Sequence, residues 1–262
     1  MTNINFCHKI NDDEVVNLFK FIKENIVDAI KEGLDEAKEE VAQEREQEKE
    51  LSRADEIKRL NQITDLEKFI TALAAPFRES IFNDWFTLFK DDDIENDKAI
   101  LLHLYGFGDS ISLTKSETKR ISEQLKNSFD VKTESEILAL AKEYLELLRL
   151  TSRTLFSYSK STTLNQISYL NGYDALLISM VACLLVSSVD LKLLDKQLVL
   201  DIFSEITPEI KRRFIDWEEY SKQFLIEESI VGFNKGKQRK QLESDINNLI
   251  TKPNSPWNNI SW

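Results

Sequence analysis

Glycine and proline are scarce in this sequence of 262 residues, which contains six of the first and four of the second. An all-β sandwich or barrel needs many tight turns, and these two residues supply most of the backbone conformations that such turns require. No segment shows sustained alternation of apolar and polar residues, which is the pattern of a half-buried strand. The composition therefore argues against an all-β fold.

Cysteine and histidine are also scarce, with two of each. Cys7 and Cys183 give no disulfide framework, so we expect a reducing cytoplasm as the location. His8 and His103 do not occur in the spacings that bind zinc, and His103 lies among leucines, as a packed structural histidine does. We expect no metal and no cofactor.

Positive charge is in deficit, with 34 Lys and Arg against 46 Asp and Glu and a net charge of −12. Binding to nucleic-acid phosphates needs clustered basic residues, so we expect no nucleic-acid partner. The only dense basic cluster is Lys235–Lys240. It is typical of the start of a surface helix, and the alternative is a contact with an acidic partner or a phosphate.

Long apolar runs are limited to Ala175–Val189, which is shorter than the roughly 20 residues that cross a bilayer. The run predicts a buried central helix, and we expect no membrane association. Met1–Asn11 has neither the basic start nor the apolar core of a signal peptide.

Catalytic motifs are missing as well. There is no Gly-x-Ser-x-Gly elbow, and Gly106-Phe107-Gly108-Asp109 lacks the later glycine and the Lys-Ser/Thr of a phosphate loop. The same four residues are typical of a helix end and turn. Asp91-Asp92-Asp93 lacks the spacing of a calcium loop and reads as a turn between helices.

What the sequence does have is repeated helix-start chemistry. A side chain that can cap a helix is followed three residues later by Glu, which can bond back to the cap. These capping boxes are Thr64 with Glu67, Thr114 with Glu117, Thr133 with Glu136, and Asp216 with Glu219. Thr207-Pro208 has the spacing of a further helix start. The fold class predicted is all-α: a compact multi-helix globule with a central apolar helix and a charged N-terminal helical arm.

The predicted arm covers residues 1–60 and the body residues 61–262. The arm begins with an amphipathic helix from about Asp12 and becomes highly charged from Lys31. A solvated helix held by charge pairs explains the charged part, and a coiled-coil arm that binds a partner is the alternative. The helices predicted in the body are Thr64–Ala74, Pro76–Phe89, Ile94–Tyr105, Thr114–Asn127, Thr133–Tyr158, Asn171–Leu194, Lys196–Glu205, Pro208–Ile215, Trp217–Ser229 and Lys237–Thr251.

The C-terminal tail has two tryptophans, Trp257 and Trp262, which are unfavourable in a frayed end. Three segments, Gly172-Tyr173-Asp174, Phe214–Tyr220 and Asn254–Trp262, resemble motifs of a bacterial family known as domain of unknown function 1266. The resemblance covers about 200 residues, with the arm outside it. It implies a helical fold and a bacterial cytoplasmic setting, but no reaction. It also implies an Arg three residues after Asp174, where this chain has Leu177.

The candidate site residues are the motif positions Tyr173, Asp174, Trp217, Glu218, Trp257 and Trp262. We interpret the three tryptophans as an aromatic latch, in which Trp217 packs against Trp257 and Trp262. Each could bury about 150–250 Å². A ligand pocket with aromatic walls and one buried acid is the alternative.

Three functional hypotheses follow. The first is a non-enzymatic protein-binding module, in its narrower form an acidic immunity-type protein that neutralises a cognate bacterial toxin through its negative charge. The second is an enzyme or small-molecule binder of unknown reaction that uses the aromatic and Asp pocket. The third is a scaffold that oligomerises through the charged arm. Neither the partner nor the oligomeric state follows from the sequence.

Overall fold

The computed structural model describes residues 55–78, 102, 104–158, 170, 172–253 and 255–262, and the structural statements below concern these residues. All but residue 55 belong to one compact unit, Glu56–Trp262. The predictions for the arm up to residue 54 lie outside the described residues. So do those for Cys7, His8 and His103, and for residues 79–101, which include Asp91–Asp93.

The described residues form nine α-helices and no strand, so the predicted all-α fold is confirmed. Residues 55–62 are helical as well. The helices are α1 (Asp65–Arg78), α2 (Lys115–Gln124), α3 (Glu134–Leu147), α4 (Arg153–Tyr158), α5 (Asp174–Asp190), α6 (Lys196–Arg213), α7 (Trp217–Val231), α8 (Lys237–Thr251) and α9 (Pro256–Asn259). None of them is long and apolar enough to cross a membrane.

Helix α5 is the central apolar helix, as predicted. Every residue from 175 to 190 is buried, and α1, α3 and α7 pack against it. A helix that is apolar on all sides is stable only when neighbours cover all of it, because each exposed Leu or Val would forgo about 1.5–3 kcal/mol. Helices α1, α3, α6 and α7 therefore cover α5.

The capping boxes lie where the sequence predicts them. Thr114 and Thr133 accept the N3 backbone N–H, and the N3 Glu of each accepts the N–H of the cap. Thr64 and Glu67 make the same pair of bonds. At the start of α7 the pattern is changed: Asp216 accepts from Glu219 N at 2.8 Å, but the Glu219 carboxylate accepts from Ile215 N.

Two helix boundaries predicted at prolines are wrong. Pro76 lies inside α1 and Pro208 lies inside α6, so that the pairs of helices predicted on either side of them are each continuous there. An internal proline removes one backbone hydrogen bond and clashes with the preceding turn. Burial outweighs that cost, since Ala74, Ala75 and Ile210 are at most 1% exposed on these helices.

The predicted single helix Thr133–Tyr158 is also wrong, because α3 ends at Leu147. Arg149 has a left-handed backbone (φ 53°), and Leu150 N donates to Leu145 O at 2.8 Å to close the turn. Ser152 Oγ then accepts from Leu155 N at 3.2 Å in α4. A long apolar periodicity conceals such a break because both halves face the same core.

Helix α5 ends earlier than the predicted Leu194. Lys192 is left-handed (φ 59°), and the N–H groups of Leu193 and Leu194 both donate to Ser188 O. Asp195 then caps α6, accepting from Gln197 N at 2.7 Å. This turn carries polar groups to one end of the buried helix.

Candidate functional site

The three motif tryptophans meet in one aromatic cluster. Trp217 stacks on Trp257 with ring centroids 5.4 Å apart and planes 9° apart, and meets Trp262 edge-on at 4.7 Å. Further aromatic side chains surround them: Phe69, Phe214 and Tyr220. Aromatic pairs at such separations contribute about 0.5–1.5 kcal/mol beyond their buried area.

Each indole of the latch also donates a hydrogen bond to the backbone. Trp217 Nε1 bonds to Ile260 O at 2.7 Å, Trp257 Nε1 to Ala72 O at 2.9 Å, and Trp262 Nε1 to Lys211 O at 3.2 Å. The latch therefore joins the tail to α1, α6 and α7. The predicted packing of Trp217 against both tail tryptophans is confirmed.

The other three motif residues are placed differently. Asp174 forms an ion pair with Arg213, whose second guanidinium nitrogen donates to Leu148 O. Glu218 lies on the surface of α7 and pairs with Lys222 at 2.6 Å. Tyr173 is half-buried at the start of α5 and gives no side-chain cap.

Asp174 thus has an arginine partner, although not at position 177. Leu177 is fully buried, and the guanidinium comes from the end of α6 instead. The sequence could not reveal this pair, because the two residues are 39 positions apart. The pair fixes the start of α5 against the turn after α3.

A buried carboxylate also caps the start of α5. Glu227 on α7 accepts a hydrogen bond from Leu176 N at 2.7 Å, and Gln223 Nε2 donates to its second oxygen at 2.9 Å. Burial raises the pKa of Glu227. A negative charge at the N-terminus of a helix is favourable. Next to it, the Tyr220 hydroxyl is 2.6 Å from Ser179 Oγ, and burial raises the pKa of Tyr220.

A second polar network lies at the opposite end of α5. Asp190 accepts from Arg78 at 2.7 Å and from Gly108 N at 2.7 Å, and both side chains of this ion pair are at most 1% exposed. Gly108 has φ +63°, and a Cβ there would lie 2.7 Å from Val189 Cγ1. Glycine is therefore required at this turn.

The predicted turn at Gly106–Asp109 is confirmed, and it contributes to a polar cleft. The cleft has a volume of about 750 Å³ and contains Lys196, which pairs with the buried Glu67 and donates to Ser110 Oγ at 2.8 Å. The Lys196 ammonium also lies 5.2 Å from the centre of the Phe107 ring. A smaller cavity of about 410 Å³ shares Gly108, Asp109 and Lys192 with this cleft.

A third cavity, of about 580 Å³, is the most apolar of the three. Its lining includes Phe77, Phe129, Met180 and Phe233, together with polar side chains such as Gln124. We call it the apolar groove. Cys183 contacts Gln124 from inside the core, and burial raises the pKa of its thiol to about 12. At neutral pH that thiol is protonated.

None of the six motif residues lines any of these three cavities. No group of three or more His, Cys, Asp or Glu side chains in the described part of the chain could hold a metal ion. The three tryptophans fasten the tail, and Asp174 fastens the start of α5 to the end of α6. The cavities are formed by other residues.

A family model described as a protein of unknown function (DUF1266) matches residues 22–262. The chain belongs to this family. The match begins at residue 22, so the expectation that the arm falls outside the resemblance is wrong for most of the arm. No curated protein and no solved structure is significantly similar to the chain.

Within this DUF1266 member, sequence reasoning missed the buried ion pair at Asp190 and the pair in the polar cleft. Asp190, Arg78, Glu67 and Lys196 come from distant parts of the chain. The available signal was a polar residue at a position that the helical period places in the core. Asp190, at the end of the longest apolar run, was such a signal.

Proposed function

We propose that this protein acts by binding another protein. One observation carries the proposal: three large apolar side chains are exposed at the end of α7, namely Ile226 (55%), Ile230 (65%) and Phe233 (44%). We call these three residues the apolar surface. They are half of the six large apolar residues that are exposed in the described part of the chain.

The apolar surface is a feature of the helix rather than of a single position. Ile226 and Ile230 are four residues apart and so lie on one face of α7, while Tyr220 and Phe224 on the opposite side are fully buried. Grouped exposed apolar side chains mark interaction sites, whereas a solitary one such as Ile215 needs no explanation. Covering an isoleucine gains about 1.5–3 kcal/mol, which favours association.

The narrower proposal is an immunity-type protein that neutralises a toxin. It is supported by the net charge of −12, which would speed encounter with a basic target such as a nuclease cleft. Under this proposal the natural partner is basic. Identification of the partner tests this directly, since an acidic partner would contradict it.

The experiment for the main proposal is affinity purification of the full chain from the cells that produce it, at native abundance. We expect a stoichiometric partner that is lost when Ile226→Ser and Ile230→Ser are combined. The matched control is Ile215→Ser, because Ile215 is 82% exposed and lies before α7. Failure to recover any partner, or a partner that survives the double substitution, would contradict the proposal.

A second candidate function is small-molecule binding in the polar cleft. The observation that favours it is the pairing of Lys196 with the buried Glu67 in a cavity of about 750 Å³, a size typical of ligand sites. Native mass spectrometry of the purified chain tests it. We expect a bound small molecule whose occupancy falls in Asp109→Ala, since Asp109 lines the cleft but is itself exposed. A spectrum of unliganded chain alone would count against this candidate.

The enzyme or binder hypothesis based on an aromatic and Asp pocket has less support, because the indoles pack together and bond to the backbone. The scaffold hypothesis stays a prediction, since most of the charged arm lies outside the described residues. Sedimentation of the full chain and of a chain that starts at Glu56 tests it. A monomer in both experiments would end it.

A further inference from the structure

We infer that the apolar surface and the apolar groove together bind an amphipathic helix of a partner protein, and that the polar face of this helix is acidic. The inference rests on the main proposal, that the protein binds another protein, and adds the chemistry of the partner. An acidic partner of this kind would exclude the narrower immunity-type proposal, which needs a basic one. Two features lead to the inference: the position of Phe233, and the exposed charges of the residues that flank it in the chain.

Phe233 belongs to both features. It is the third member of the apolar surface and also lines the groove of about 580 Å³, together with Phe77, Phe129 and Met180. Gly232 ends α7 in a left-handed conformation (φ 73°) and thereby redirects the chain at Phe233. The result is an exposed apolar stretch of helix followed by a recess whose lining has four apolar and five polar side chains. That combination suits a helix with apolar residues at positions i, i+4 and i+7.

The exposed charges between Gln223 and Gln241 are positive. Between Gln223 and Gln241 the only acids are Glu227 and Glu228, and both are buried. Glu228 pairs with Arg239 and accepts from Asn234 N at 2.7 Å, so its charge is neutralised internally. Three lysines in the same range are exposed: Lys235, Lys237 and Lys240.

One acid, Glu123, also lines the groove. It lies 3.8 Å from Lys119, the next turn back on α2, and this pair reduces its effect on a ligand. A positive segment in a chain of net charge −12 is unusual, and it complements a partner with carboxylates. The rest of the acidic surface would repel that partner, which helps to orient its encounter.

The probe for the experiment is a fluorescent helical peptide of about 18 residues, long enough to form several turns. Its apolar face carries Leu at helical spacing and its polar face carries Glu. A second peptide has Lys in place of every Glu. Binding of each to the full chain is measured by fluorescence anisotropy at low and at moderate salt.

We expect the Glu peptide to bind about tenfold or more tightly than the Lys peptide, and to weaken as salt is added. Combining Ile226→Ser with Ile230→Ser should weaken it at least about tenfold, since the complex then covers two fewer isoleucines. Lys235→Glu with Lys237→Glu should remove the preference for Glu over Lys. The controls Ile215→Ser, and Lys115→Glu with Lys132→Glu, change exposed residues elsewhere and should bind as the unmodified chain does.

Equal binding of the two peptides, or binding of neither, would overturn the inference. So would anionic vesicles of phosphatidylserine and phosphatidylcholine that bind the chain through the same isoleucines and lysines, because the site would then be a membrane contact. Circular dichroism of each variant confirms that it is folded. If the natural partner is lost in the isoleucine variant but the Glu peptide does not bind, the proposed function stands and this inference alone fails.

Discussion

At the scale of single residues, Asp190 joins α5 to α1 and to the turn at Gly108 through two hydrogen bonds. Replacing it with Ala leaves Arg78 beside an empty position and Gly108 N–H without its acceptor. Breaking a buried ion pair from one side costs about 3–5 kcal/mol. We therefore expect Asp190→Ala to lower the free energy of unfolding by about that amount, measured by urea denaturation.

The control for this measurement is Asp201→Ala on the exposed side of α6. It should change the free energy of unfolding by less than about 1 kcal/mol, as surface substitutions usually do. Equal losses in the two variants would show that the buried pair has no special role.

Residue by residue, the sequence predicts neighbours on one element better than partners across the fold. The latch was predictable because tryptophan is rarely left exposed at a chain end and its large surface must find an apolar partner. The sequence could not predict two ion pairs, Asp174 with Arg213 and Asp190 with Arg78. Among 46 acids and 34 bases, charge complementarity does not select one partner for each acid.

At the scale of helices, the cap at the start of α3 should make the stability of the protein depend on pH. Bonds from the backbone N–H groups of Lys132 and Thr133 lower the pKa of Glu136 below its usual 4.5. An acid with a lowered pKa in the folded state stabilises the fold above pH 4.5, and this contribution is lost as the pH falls through the folded value. Stability should therefore fall with decreasing pH in this range.

Glu136→Gln removes the titrating carboxyl and with it this pH-dependent contribution to stability. We therefore expect its curve of stability against pH to be flatter below pH 4.5 than that of the unmodified chain. Thermal unfolding followed by circular dichroism at several pH values measures it. The control is Glu134→Gln on the first turn of the same helix, which should keep the original slope. Parallel slopes for the unmodified chain and Glu136→Gln would refute the assignment.

In helix α6, by contrast, a substitution should raise the stability of the protein. Pro208 cannot donate to Ser204 O, and the neighbouring Thr207 Oγ1 is buried without a hydrogen-bond partner among the described residues. Pro208→Ala restores the missing donor and should raise the free energy of unfolding by about 1–3 kcal/mol. Differential scanning calorimetry would show a higher Tm. A lower Tm would mean that the proline ring contributes more through packing than it costs.

Helices α1, α3 and α6 show which helix boundaries can be predicted from the sequence. Capping boxes depend on residues three positions apart, and three of the four form as predicted, at Thr64, Thr114 and Thr133. At Asp216 the Glu219 carboxylate bonds to Ile215 N instead. The continuous helices through Pro76 and Pro208 and the break at Arg149 depend on what covers each face. Local propensity cannot report that, because tertiary packing decides it.

At the scale of the whole molecule, the tail should be essential to the fold. A chain that ends at residue 254 loses Trp257 and Trp262 and leaves Trp217 and Phe69 uncovered. Removing the buried Trp257 costs about 3–5 kcal/mol, and the loss of the partly buried Trp262 adds to it. The stability of a typical domain is about 5–15 kcal/mol, so this loss is a large part of it. We expect this chain to bind an apolar dye and to lose its near-ultraviolet circular dichroism.

The matched control is Ser261→Ala, which changes an exposed side chain of the same tail and should leave both signals unchanged. If the shortened chain unfolds at the same urea concentration as the complete one, the latch contributes nothing to stability. The same shortened chain keeps α7 and the exposed lysines Lys235, Lys237 and Lys240. The peptide assay on this chain therefore also shows whether binding at the apolar surface needs the packed core beneath it.

The hydrogen bond from Trp257 to Ala72 joins positions 185 residues apart. A ribosome adds residues at about 5–20 per second, so the interval between making these two positions is roughly 10–40 s. During that interval the part of α1 that the tail covers has been made, but the tail has not. Newly made chains are therefore open to aggregation or to chaperones until translation is almost over, and truncated products of the message never escape that state.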